Sequence, residues 1–114
     1  MIDLNGLAEQ TAQNSIRRGF TDGQRPTPVE AMAFVALIMT ELAEVVEVLR
    51  LGCFTVEYNT DRHGKPVGIE NELADIILRT LDLSKAYGLN LEEALQKKAD
   101  YNDKRPMGYG GRVR

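Results

Sequence analysis

Apolar residues return along this chain at three- and four-residue intervals, and glycine, proline and asparagine break the rhythm into four helical stretches and one long loop. The first stretch runs from about Asp3 to Arg18 and stops at Gly19; Asp22-Gly23-Gln24-Arg25-Pro26 then reads as a turn. Thr27-Pro28-Val29-Glu30 is a strong helix start, with Thr27 as N-cap, Pro28 in the first helical position and Glu30 closing a capping box. This second helix runs to Leu51 and ends at Gly52. Residues 53–67 hold Asn59, Asp61, Gly64 and Pro66 and read as a loop, with room for a short hairpin around Phe54-Thr55-Val56. Helix three spans about Ile69 to Tyr87 and ends at Gly88. Asn90-Leu91-Glu92-Glu93 is a second N-cap, and the helix it starts fades near Arg105-Pro106. Sustained alternation is missing, so the expected fold is an all-α, four-helix bundle-like domain over residues 1–105, followed by an irregular basic tail, 106–114.

Helix two stands apart. From Ala31 to Met39 it is apolar through two and a half turns, in every direction on the helical wheel. A helix that is hydrophobic all round is expected to be buried all round. A four-helix monomer leaves one face of each helix in water, so a homodimer or a dimer of dimers is expected. The alternative is that small alanines on an outer face are tolerated in water.

Two short segments nearly repeat each other: Glu41-Leu42-Ala43-Glu44-Val45-Val46 and Glu72-Leu73-Ala74-Asp75-Ile76-Ile77. Each carries two carboxylates at i and i+3, one turn apart on one helical face. In helix two they interrupt an apolar stripe, Leu37-Glu41-Glu44-Val48, and so point where core residues should point. Ionised carboxylates there cost several kcal/mol each unless paired or metal-bound. If helices two and three are antiparallel neighbours, all four acids meet. The bland alternative is a solvated polar stripe, Glu72-Asp75-Arg79-Asp82.

Four oxygen ligands without histidine or cysteine suit a hard cation, Mg²⁺ or Mn²⁺, which readily takes phosphate oxygens as further ligands. A di-iron bundle needs Glu-x-x-His pairs, and the one histidine, His63, lies in the loop. On helix four, Leu91, Leu95, Lys98, Asn102 and Arg105 follow at i, i+4, i+7, i+11 and i+14, so a lysine, an amide and an arginine continue the apolar line. Beside an acidic cluster these are donors for phosphate oxygens; alone, they are a snorkelling helix end.

Composition narrows the field. The 114 residues are 43% hydrophobic and 27% charged, which excludes a disordered or repetitive chain and suits one globular domain. The longest apolar run is far too short for a membrane span, and no signal peptide is visible at the N-terminus, so a cytoplasmic location and no membrane partner are expected. Lys104, Arg105, Arg112 and Arg114 stand in the acid-free stretch 104–114; the rest holds ten basic and seventeen acidic side chains. An acidic body argues against nucleic acid as a partner. The lone Cys53 reads as a small hydrophobe, and His63 as loop surface. Gly108-Tyr109-Gly110-Gly111 has no following helix or Gly-Lys-Ser/Thr and is no phosphate loop.

On these residues the chain resembles the MazG-like all-α nucleoside triphosphate pyrophosphohydrolases, whose signature is E-x-x-E, a spacer, then E-x-x-D. It reads here as Glu41-x-x-Glu44, 27 intervening residues and Glu72-x-x-Asp75. Asn14-Ser15-Ile16-Arg17-Arg18-Gly19-Phe20 with Asp22-Gly23 looks like the family's first-helix ending, with arginine at 18 where lysine is usual. Lys98-x-x-x-Asn102-x-x-Arg105-Pro106 and Gly110-Gly111 resemble its C-terminal pattern. The resemblance implies cleavage of a (deoxy)nucleoside triphosphate between the α- and β-phosphates, as in the house-cleaning of nucleotide pools. It implies Mg²⁺ on Glu41, Glu44, Glu72 and Asp75, phosphate on Lys98, Asn102 and more weakly Arg105, and base or sugar near Asn14, Arg18 and Phe20. Glu47 reads as an outer ligand or, more simply, as an ion-pair partner of Arg50. Two rivals remain: phosphoribosyl-ATP pyrophosphohydrolase of the same fold, and a non-catalytic helical dimerisation module.

Overall fold

Local signals set the helix boundaries. In the computed structural model, which describes residues 2–50, 59–60 and 66–106, the first helix α1 spans Leu4–Arg17 and the second, α2, Pro28–Arg50. The capping box at the start of α2 is reciprocal: Thr27 N–H donates to Glu30 Oε1 at 2.9 Å, and Glu30 N–H to Thr27 Oγ1 at 3.2 Å. Two residue pairs, β1 (Asn59–Thr60) and β2 (Pro66–Val67), lie antiparallel with Asn59 opposite Val67. They are followed by α3, Ile69–Ala86, and α4, Leu91–Asp103, the latter capped by Asn90 accepting from Glu93 N–H at 3.1 Å. The described residues are thus all-α, with one minimal strand pairing that weak strand signals did not place. The expected hairpin at Phe54-Val56, together with Cys53, His63 and the glycine-rich tail, lies outside the described residues.

Glycine ends α1 and α3 in the same way. Gly19 at φ +80° and Gly88 at φ +68° adopt the left-handed conformation that a side chain disfavours. In each case two backbone hydrogen bonds close the helix end: Gly19 N–H to Ile16 O and Phe20 N–H to Ser15 O, then Gly88 N–H to Lys85 O and Leu89 N–H to Ser84 O.

The central helix is α3, whose Leu81 is only 1% exposed. Both α1 and α2 pack on it, antiparallel to it, and they hardly touch one another. The level of each contact is marked by Arg79 beside Glu41, Asp82 beside Ser15 and Lys85 beside Glu9. Residues 18–27 run back along the gap between α1 and α2 as a strap, and its end is fastened where Tyr87 Oη donates to Pro26 O at 2.9 Å and Arg25 lies over the Tyr87 ring. The fourth helix turns away at Gly88 and packs against the start of α1, where Leu4 N–H meets Glu92 Oε1 at 3.3 Å.

The outer surface of α2 is open in the single chain. Ala31, Phe34, Ile38, Glu41, Val45 and Val48 form the inward line and are buried or half-buried. One residue further on, Met32, Val35, Met39, Leu42, Val46 and Leu49 form a second apolar line at alternating spacings of three and four, exposed by 44% to 66%. Ala36, Thr40, Ala43 and Glu47 fill the remaining outer arc and are exposed in the single chain. Ala33 lines the cavity described below. Among the described residues no helix is long and apolar enough to cross a membrane.

Candidate functional site

The antiparallel packing of α2 on α3 brings the two acidic pairs together. Carboxylate oxygens of Glu41, Glu72 and Asp75 all lie within 4.8 Å of one another. Glu44, one turn beyond Glu41, presses its carboxyl toward Glu72 and lines the same opening. The four acids therefore converge, and three of them, Glu41, Glu44 and Asp75, border a cavity instead of entering a packed core. Glu41 is the buried member, 8% exposed, and Arg79 reaches it from α3 with Nε 2.9 Å from Oε1. One positive charge thus partly offsets the group.

Glu72 bears most of the remaining strain. One of its oxygens, Oε2, is out of solvent and has no hydrogen-bond partner among the described residues. Burial pushes its carboxyl above the ordinary carboxylate range, and the nearby Glu44, then Asp75 and Glu41, push it further the same way. Glu70, in the first turn of α3, has both oxygens buried without a partner among the described residues, at the helix end where a carboxylate is best tolerated.

Beside the acids opens a cavity of about 1200 Å³, bounded by α1, the strap, α2 and α3. Glu41, Glu44 and Asp75 line it together with Asn14, Arg18 and Phe20, so the expected base-or-sugar residues share one space with the acids. Phe20 is 70% exposed and is not a core side chain; Arg18 lies over its ring, 5.2 Å from the centroid. The Glu44 and Leu37 side chains face this opening, which is why an apolar stripe tolerates charge there.

Helix four departs from expectation within a single chain. Lys98, Asn102 and Arg105 do not border the cavity, and both cations fold over the Tyr101 ring, at 5.6 Å and 5.1 Å. The cause is connectivity: α4 leaves from the C-terminal end of α3, whereas Asp75 sits in its N-terminal half, eleven residues or about 16 Å before Ala86. Glu47 takes the plainer of its two readings, paired with Arg50 at 2.8 Å.

Three residues escaped the sequence reading. Arg79 and Asp82 follow Asp75 at i+4 and i+7 and line the cavity, and Ser15 ties Asp82 to α1 with an Oγ–Oδ2 bond of 2.6 Å. The signal for Arg79 and Asp82 was the polar stripe on α3 itself, which looks the same whether it faces solvent or a cavity. Comparison with protein-family models, with curated proteins and with solved structures finds no match to this chain.

Proposed function

We propose that this chain is a divalent-metal-dependent nucleotide pyrophosphohydrolase of the MazG-like type, acting as a homodimer or higher assembly. The observation that carries the reading is the convergence of Glu41, Glu72 and Asp75 within 4.8 Å, with Glu41 and Asp75 on the wall of a cavity large enough for a nucleotide. The buried, partnerless oxygen of Glu72 and the upward push on its carboxyl supply the need for a cation. Mg²⁺, or Mn²⁺ in its place, suits an all-oxygen donor set and when bound neutralises phosphate charge and activates water.

The chain's own residues divide the work. Glu41, Glu44, Glu72 and Asp75 hold the cation and fix the phosphate end of the substrate. Arg79, already charged and at the rim of the acids, meets phosphate oxygens as they enter. Arg18 and Phe20 on the strap cover the nucleoside end, where an exposed aromatic ring offers a stacking surface. The apolar seam from Met32 to Leu49 supports self-association, since a row of six large side chains at heptad spacing is costly to leave in water.

Pyrophosphate release from a panel of nucleoside triphosphates, with and without Mg²⁺, tests the activity directly. Glu41→Gln, Glu44→Gln and Asp75→Asn are each expected to lower turnover by orders of magnitude while helical circular dichroism is retained. A triple carboxamide variant that still turns over near the wild-type rate would refute the metal assignment.

A further inference from the structure

The nucleoside end of the cavity carries an unused chemical feature. Asp82 lies two turns along α3 from Asp75, on the same helical face and about 10 Å away along the axis. That span is of the order of a nucleoside, from its 5′ oxygen to the far edge of its base. Asp82 lines the large cavity, and also a smaller one of about 170 Å³ beside it, so its carboxylate stands where the two meet. The Ser15 hydroxyl, on a residue only 9% exposed, donates to Oδ2 at 2.6 Å and fixes the carboxylate's orientation. One donor does not exhaust it: each carboxylate oxygen takes two hydrogen bonds. On the α1 wall next to Ser15, Asn14 has its carbonyl oxygen taken by Arg17 Nη2 at 2.9 Å. The Asn14 amide therefore presents its NH₂ as a donor.

From this pairing of a fixed anionic acceptor with an amide donor we infer that the site selects guanine among the bases, with Asp82 as the specificity-determining residue. The inference rests on the nucleotide reading above and deepens it. Guanine alone presents two adjacent donors, N1–H and the 2-amino group, which a carboxylate accepts as a pair, with a carbonyl oxygen beside them for an amide donor. Adenine and cytosine offer an amino group flanked by a ring-nitrogen acceptor, whose lone pair faces the carboxylate's charge. Uracil and thymine offer a single N–H between two carbonyls. A site built to bond donors rejects bases that leave its acceptor unpaired.

The test is hydrolysis of the guanine, adenine, cytosine and uracil triphosphates, beside calorimetric binding of the four nucleoside monophosphates, on the intact protein. Guanine is expected to lead the other bases by at least about tenfold in kcat/KM and in affinity. Asp82→Asn exchanges one acceptor for a donor and is expected to bring guanine down to the level of the others, leaving their values within about threefold. Were Asp82 only a tie between helices, the variant would lower all four bases alike, and that outcome overturns the inference. Ser15→Ala keeps the carboxylate but frees it, and a reduced guanine lead is expected. Should Asp82→Asn not fold, a wild-type protein with no base preference still overturns the proposal. Hydrolysis of all four bases at equal rates sinks base selection alone. Guanine-selective binding without pyrophosphate release sinks the pyrophosphohydrolase reading and leaves base selection standing, whereas neither binding nor release removes both.

Discussion

Glu72 is the residue at which the acidic cluster is most sensitive to its surroundings. Its carboxyl holds a proton more tightly in the folded chain than in the unfolded one, because burial and three neighbouring acids oppose its charge. Stability of the metal-free protein should therefore fall as pH rises from the ordinary carboxylate range through the raised value, and return as pH falls. Glu72→Gln removes that dependence. Melting curves of the two metal-free proteins should separate with rising pH, the variant becoming the more stable; curves that run parallel would show the charge to be well accommodated. Glu9, drawn down by Lys85 first and then Gln13, acts in the opposite direction on the surface, but it is common to both proteins and cancels in their difference. Adding a divalent cation reverses the order. A ligand that binds only the folded state at a hundredfold excess over its dissociation constant contributes about 2.7 kcal/mol, a gain expected for wild type and lost in Glu72→Gln. A site that trades stability for charge in this way is the mark of function over packing.

At the scale of elements, what could be read directly was what local chemistry decides. Thr27 and Glu30 cap each other, Asn90 caps α4, and Gly19 and Gly88 close two helices, so all four helices begin and end within a residue or two of where their punctuation places them, as far as the described residues reach. The i, i+3 carboxylates were legible because that spacing fixes a shared face whatever the helix packs against. What could not be read was the splay of α1 and α2 across α3, since it is set by contacts distant in sequence. The cavity, the strap over it and the roles of Arg79 and Asp82 all depend on that splay. The same holds for α2's exterior, where apolar composition alone did not separate the seam from the alanine face. The structure now separates them in a testable way. Met39→Lys and Val46→Lys place a charge in the proposed self-association seam and should convert the assembly to monomer in analytical ultracentrifugation. Ala36→Lys, on the water-facing arc, should leave it intact. Equal behaviour of the three variants would remove the seam as the interface.

For the whole molecule, the distribution of charge poses a geometric problem that one chain does not solve. The acids and their cavity occupy the α1–α2–α3 face, while Lys98, Asn102 and Arg105 ride on α4, beyond the far end of α3. If these donors serve phosphate, they must reach it from another protomer, and the proposed dimer then has composite sites. Mixing two inactive variants decides the point. Take Glu41→Gln, which lacks a ligand, and Lys98→Ala, which lacks a donor, and exchange their subunits in equal amounts. Random exchange makes half of the dimers mixed. In a mixed dimer with composite sites, one site combines both lesions and the other has the acids of one protomer and the lysine of its partner, both intact. About a quarter of wild-type activity should then return. If each site were built from one chain alone, every site would carry one lesion and nothing would return. If Lys98→Ala were itself fully active before mixing, α4 would have no part in the chemistry, and its cations would be what the single chain shows, side chains folded over Tyr101.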